Sequence, residues 1–149
     1  MIVEIKNKPG FATVFAKLKP GETITAESDA MASMSTHLQM KTKFNGGFFR
    51  GLIKKIFGGE SLFINDFTCP INSDEAEIVL TQPTPGDIIE LELNNSSFNL
   101  QPGAYIAHTG NITLGVRWAG FASFLNKEGL FKLEVNGTGK VYFGAYGCI

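Results

Sequence analysis

The chain has 149 residues, of which 44% are hydrophobic and 13 are phenylalanine, so a single domain can bury its own core without disulfide bonds. A net charge of −1 and a pI near 6.1 are not those of a dedicated nucleic-acid binder. Two isolated cysteines exclude a disulfide framework and a cysteine metal cluster.

The charges are unevenly distributed along the chain. Residues 1–59 carry nine Lys/Arg and four Asp/Glu, a balance of +5, whereas residues 60–149 carry four and ten, a balance of −6. Either a basic patch for nucleic acid or anionic lipid, or complementary faces in a self-associating protein, would account for this asymmetry. Of these two explanations we favour complementary faces in a self-associating protein, because the basic residues are scattered over several predicted strands. A third explanation, ordinary solvated faces, is the simplest of all.

Most of the first third alternates with the two-residue period of a β-strand. Strands are predicted at Ile2–Ile5, Ala12–Leu18 and Thr23–Ser28, with Pro-Gly turns between them. In the third strand, Thr25 is predicted to face outward. The segment His37–Phe44 alternates most regularly.

The pattern changes at about residues 48–57, where apolar residues recur at i, i+4 spacing and the basic ones fall opposite. This predicts one short amphipathic helix, ended by Gly58-Gly59. We take the helix as the candidate interaction surface; its residues are Phe48, Phe49, Arg50, Leu52, Ile53, Lys54, Lys55, Ile56 and Phe57.

Further strands are predicted after the helix, at Ala76–Thr81 and Ile88–Leu93. Asn94–Ser97 is interpreted as a polar connector that divides one domain, residues 1–149, into pseudo-repeats of roughly 1–94 and 95–149. The last strands are predicted to form a hairpin through Asn136-Gly137-Thr138-Gly139. The fold class is therefore all-β, an antiparallel sandwich built from a duplicated unit that carries the short helix.

Motifs for catalysis and cofactor binding are missing from the sequence. There is no G-x-S-x-G, H-E-x-x-H, C-x-x-C or phosphate-binding loop. His37 and His108 lie 71 positions apart without a companion acid at ligand spacing, so surface or hydrogen-bonded histidines are expected rather than metal ligands. We predict no catalytic residues, no metal, no cofactor and no small-molecule substrate.

A series of short elements resembles one protein family over most of the chain. They are PGE at 20–22, AESDAMASM at 26–34, GLIKKIFGGESLF at 51–63, PGDI at 85–88, PGAYIA at 102–107, EGLFKLEVNGTGKVY at 128–142 and AYG at 145–147. This series resembles the "altered inheritance of mitochondria, protein 24" family.

The resemblance implies a fold similar to the tryptophan RNA-binding attenuation protein, with duplicated β-sandwich or double-stranded β-helix units assembled as rings or trimers. It implies an association of the mitochondrial relatives with inner-membrane organisation, but no catalytic residues. Family members usually continue beyond the AYG element, so a naturally short or a truncated chain is expected.

We therefore predict a non-enzymatic oligomeric scaffold or assembly and biogenesis factor. The alternatives are a peripheral membrane-associated factor using the helix, or an RNA or single-stranded nucleic-acid binding module. No apolar leader and no run of about 18–20 apolar residues is present, so a cytoplasmic location is expected.

Overall fold

The computed structural model describes residues 1–43, 63–101, 103–118 and 131–146, and over these residues the protein is all-β. The helix predicted at about residues 48–57 lies outside the described residues. Within them, no helix is long and apolar enough to span a bilayer. The ten strands, in chain order, are β1 Ile2–Lys6, β2 Thr13–Leu18, β3 Thr23–Glu27, β4 Met31–Met34, β5 Gln39–Lys43, β6 Ile64–Thr68, β7 Ala76–Leu80, β8 Gly86–Leu100, β9 Tyr105–Trp118 and β10 Phe131–Tyr146.

The strands form two antiparallel sheets that pack in a sandwich-like arrangement. The smaller sheet has the order β1-β2-β7-β4 and the larger the order β5-β6-β3-β9-β10-β8. Alternation along each strand sends one set of apolar side chains between the sheets, where they form the first core. Its largest fully buried members include Phe67, Tyr142, Leu18 and Ile24.

A second core lies on the opposite face of the larger sheet. It contains Ile64, Leu93, Leu100, Tyr105, Ile112, Leu133, Val135 and Val141. Leu133 and Val135 are at most 1% exposed, although their neighbours Lys132, Glu134 and Asn136 face outward along the same strand. Along β9, Ile112, Leu114 and Val116 are more buried than the residues between them, and Ile112 lies in this core.

The three longest strands fold back on themselves, and this fold-back explains the second core. Phe98 on β8 lies opposite Val135 on β10. Val135 comes eight residues before Phe143, which is on the same strand β10. A straight strand would separate those two positions on β10 by about 26 Å. The rings of Phe98 and Phe143 nevertheless lie only 6.1 Å apart. The far halves of β8, β9 and β10 therefore bend over the near halves, and the second core fills the space between.

The bend coincides with a set of residues that have positive φ, which we call the corner. Gly137 and Gly139 on β10 have φ of 137° and 156°, Gly110 on β9 has 82°, and Asn95 on β8 has 47°. The pairing of β10 with β8 shifts register between Gly137 and Gly139, as at a β-bulge. Three adjacent strands thus change direction at neighbouring positions in the sheet.

Two predictions from the sequence are wrong at the corner. The segment 136–139 was expected to be a hairpin turn, but it lies inside β10, which runs unbroken from Phe131 to Tyr146. Asn94–Ser97 was expected to be a connector, but it lies inside β8. Glycine in the first segment and asparagine in the second permit a bend within a strand, and pairing to neighbouring strands prevents a turn. The pseudo-repeats themselves stay a prediction.

Candidate functional site

A group of polar side chains lies on the second-core face of the larger sheet, and we call it the polar cluster. It comprises Thr25, Lys43, Asp66, Tyr105 and His108. Thr25 on β3 is directly opposite both Asp66 on β6 and His108 on β9. Directly opposed residues point to the same face of a sheet, so backbone pairing alone brings these three side chains together.

Asp66 is the anionic centre of the polar cluster. Its Oδ1 accepts a hydrogen bond of 2.7 Å from Thr25 Oγ1, and its Oδ2 lies 2.5 Å from Lys43 Nζ. Thr25 is only 8% exposed, so the prediction that it faces solvent is wrong. The carboxylate uses one oxygen for a hydroxyl and the other for an ammonium group, which compensates its desolvation.

Tyr105 and His108 form the second part of the polar cluster. The hydroxyl of Tyr105 lies 2.8 Å from His108 Nδ1 and 3.3 Å from the backbone oxygen of Thr25. The hydroxyl has one proton, so both contacts are hydrogen bonds when Nδ1–H donates to the tyrosine oxygen and the tyrosine O–H donates to Thr25. This arrangement places the proton of a neutral His108 on Nδ1.

Burial sets the ionisation of both rings. Desolvation lowers the pKa of His108 to about 4, with Lys43 acting in the same direction and Asp66 opposing it. Burial likewise raises the pKa of Tyr105 well above its ordinary value, and the negative charges of Glu27 and Asp66 add to the effect. At neutral pH the polar cluster therefore holds an uncharged imidazole and an uncharged phenol beside one Asp–Lys ion pair.

The hydrogen-bond directions bear on what the polar cluster can do chemically. A hydroxyl nucleophile needs a base that accepts its proton, and imidazole is the usual base. Here the Thr25 hydroxyl donates to Asp66 rather than to His108. Across the described ranges, no three His, Cys, Asp or Glu side chains converge as they would around a metal ion. The contacts that are present join strands β3, β5, β6 and β9.

The candidate residues named from the sequence do not all lie in the polar cluster. Residues 48–57 lie outside the described residues, so their role as an interaction surface stays a prediction. His37 is exposed and lies 3.3 Å from the backbone oxygen of Asp74, whereas His108 is buried. Both agree with the expectation of surface or hydrogen-bonded histidines. Nothing in the sequence singled out Tyr105 or Thr25 as site residues. The one indication of the polar cluster was a histidine, His108, within a largely apolar strand.

An open cleft lies beside the first core, on the other face of the larger sheet. Its volume is about 310 Å³, the lower end of the range for ligand pockets. The hydroxyl of Tyr142 is buried and has no hydrogen-bond partner among the described residues. Burial and the neighbouring Glu90 raise its pKa. Lys140, at the cleft, is itself bound to Glu90 at 2.6 Å, so its charge is already compensated.

Replacement of Thr25 by valine tests the energetic role of the polar cluster. Valine preserves the shape of threonine but removes the hydroxyl that donates to Asp66, so one partly buried carboxylate oxygen loses its partner. We expect the free energy of unfolding to fall by about 1–3 kcal/mol. Urea denaturation measures this loss, and Thr113→Val, whose hydroxyl bonds an exposed backbone oxygen, is the control. Equal effects at the two positions would contradict a special role for Thr25.

The chain matches a known protein family and is similar to proteins of Streptococcus pyogenes. The family model described as "Mitochondrial biogenesis AIM24" matches residues 3–149. An uncharacterized protein of Streptococcus pyogenes serotype M6, M6_Spy0233, is 28% identical over 147 residues, covering 93% of this chain and 58% of the relative. The crystal structure of SPYM3_0169 from Streptococcus pyogenes matches with a TM-score of 0.73 and 23% identity, over 99% of this chain and 65% of that one. The chain thus spans about three fifths of the length of these relatives.

Proposed function

The chain belongs to the Mitochondrial biogenesis AIM24 family, and from that premise we propose that it is a non-enzymatic scaffold that acts by self-assembly. The observation that carries the non-enzymatic part of this proposal is the burial of most of the polar cluster, and the self-assembly part rests on the uneven charge of the chain. Thr25 and His108 are at most 8% exposed and Tyr105 is fully buried, and their polar atoms are used in bonds between strands. Such a cluster stabilises one arrangement of the sheet rather than offering groups to a substrate.

The finer architecture is part of the same proposal. Strands of 14 to 16 residues that bend at one level are the geometry of a sheet that wraps around its own core. This supports a double-stranded β-helix similar to the tryptophan RNA-binding attenuation protein. The duplicated unit, a ring or trimer of such chains and a location in the cytoplasm are the remaining parts of the proposal, and they rest on the sequence alone. The fold by itself transfers no ligand.

Light scattering over a range of protein concentrations tests the proposal. We expect a mass of two or more whole chains, each of 16.2 kDa, that stays constant on dilution. The uneven charge of the two parts of the chain predicts that the assembly weakens as salt is added, because exposed charges are screened. A mass of one chain at every concentration would contradict the proposal.

The membrane and nucleic-acid alternatives have one structural observation in their favour. Strand β5, which leads towards residues 48–57, is exposed at every residue and carries Lys41 and Lys43. Lys43, however, is already paired with Asp66. Flotation on anionic vesicles, abolished by Phe49→Asp and Ile53→Asp, would favour the membrane role. Binding of single-stranded RNA at about 50 mM salt that falls steeply as salt rises would favour the nucleic-acid role.

A further inference from the structure

The two sheets present four edge strands with different degrees of protection against pairing. Exposed backbone edges pair readily with other strands, and proteins protect them with charges, prolines or short strands. β1 carries Glu4 and Lys6, and β5 carries Lys41 and Lys43, while β4 has only four residues. β8 has 15 residues and is paired with β10 on one side alone, within the part of the chain that the structure describes.

The unprotected part of β8 is the run from Leu93 to Leu100. It contains no charged residue and no proline. All six residues of 94–99 are exposed, so both faces of the strand meet solvent there. Phe98 lies in the middle of residues 96–100, the part of β8 beyond the corner. Phe98 is 43% exposed although its ring contacts that of Phe143. A long, neutral edge with a half-exposed aromatic ring is the type of edge that proteins use for pairing rather than avoid.

A second copy of the same edge fits this run. The corner at Asn95 interrupts the strand, so the regular portion available for pairing is 96–100. Two identical antiparallel strands related by a two-fold axis place one residue directly opposite its own copy. In full register over 96–100 that residue is Phe98, so the two exposed rings meet. Ser97 then lies opposite Asn99 of the second copy, on the face turned away from the second core.

We propose that the edge of β8 beyond the corner, residues 96–100, pairs antiparallel with the same edge of a second copy, centred on Phe98. This rests on the proposed function, since it names one of the surfaces through which the scaffold assembles. A two-fold pair joins chains in twos, so a ring or trimer requires a second, different interface. The neutral run explains the choice of partner: no charge on either copy opposes self-pairing, whereas the lysines of β5 would repel their own copies.

Two double variants that differ only in the sign of one charge test this pairing. In Ser97→Lys/Asn99→Lys, each lysine faces a lysine of the second copy. In Ser97→Glu/Asn99→Lys, each new charge faces its opposite. Both positions are exposed, and lysine at position 99 lies beside Glu134 of the same chain in either variant. Thermal unfolding followed by circular dichroism of each variant verifies that both are folded.

The readout is the mass of each full chain by light scattering at several concentrations. We expect the Lys/Lys variant to associate at least about tenfold more weakly than the wild type, and the Glu/Lys variant to associate as tightly as the wild type or more tightly. An unchanged mass of the Lys/Lys variant, or equal weakening of both variants, would overturn the pairing while leaving the scaffold proposal intact. A wild-type chain that is monomeric throughout would overturn both.

Discussion

Replacing Gly139 with alanine is expected to destabilise the protein by at least about 3 kcal/mol, because position 139 in the corner has no room for a side chain. A Cβ at this position would lie 2.1 Å from the backbone oxygen of Thr109, and the backbone φ is 156°. The obstructing atom belongs to the neighbouring strand β9, so it cannot move without breaking the pairing of β10 with β9. Backbone strain adds to the clash, since residues other than glycine rarely adopt this φ.

The matched control for this substitution is Gly115→Ala on β9. Gly115 lies in one of the same three strands, but nothing comes within 4 Å of a Cβ placed there. Alanine at Gly115 should change the free energy of unfolding by less than about 1 kcal/mol in either direction. Urea denaturation of both variants gives the comparison. Equal stability of the two variants would show that the strands do not bend where the corner places the bend.

The stability of the protein is expected to fall by about 3 kcal/mol between pH 6.5 and pH 4 because of His108 alone. The folded pKa of this residue is about 4, below the ordinary value of 6.5, because the ring is buried. The unfolded chain therefore takes up a proton in this range before the folded chain does. The stabilising contribution of neutral His108 is complete above pH 6.5 and is lost as the pH falls through 4.

The contribution of His108 is separated from that of the carboxylates by comparing variants. His108→Gln removes the ionisable ring, so its unfolding free energy should depend less steeply on pH than that of the wild type over this range. His37→Gln removes the other histidine of the chain, which is exposed, and is the matched control. Urea denaturation at a series of pH values provides the data. Parallel pH profiles for wild type and His108→Gln would contradict the burial of a neutral imidazole.

Much of the fold could be predicted from local patterns. Alternation identified the strands at Ile2–Ile5, Ala12–Leu18, Thr23–Ser28 and Ala76–Thr81, because each of them has one face on a core. The hairpin at 136–139 was wrong for a physical reason. Asn-Gly favours positive φ both in a tight turn and in a bend within a strand, and pairing with β8 and β9 together decides between them.

The polar cluster could not be predicted because its members are distant in sequence. Thr25 and Asp66 are 41 residues apart, and the hydroxyl of Tyr105 bonds a backbone oxygen 80 residues away. Only the strand order β6-β3-β9 brings them together. Alternation placed Thr25 on the outward face of β3, and that face is correct in direction. The second core covers it because the long strands fold back, which no local pattern indicates.

Sedimentation equilibrium of the wild-type chain tests the scaffold account most directly. A self-assembling scaffold has one mass of two or more whole chains, each of 16.2 kDa, over a wide concentration range. We expect this mass to be retained in His108→Gln, because the polar cluster is internal to one chain. A mass of 16.2 kDa at every concentration would contradict the account.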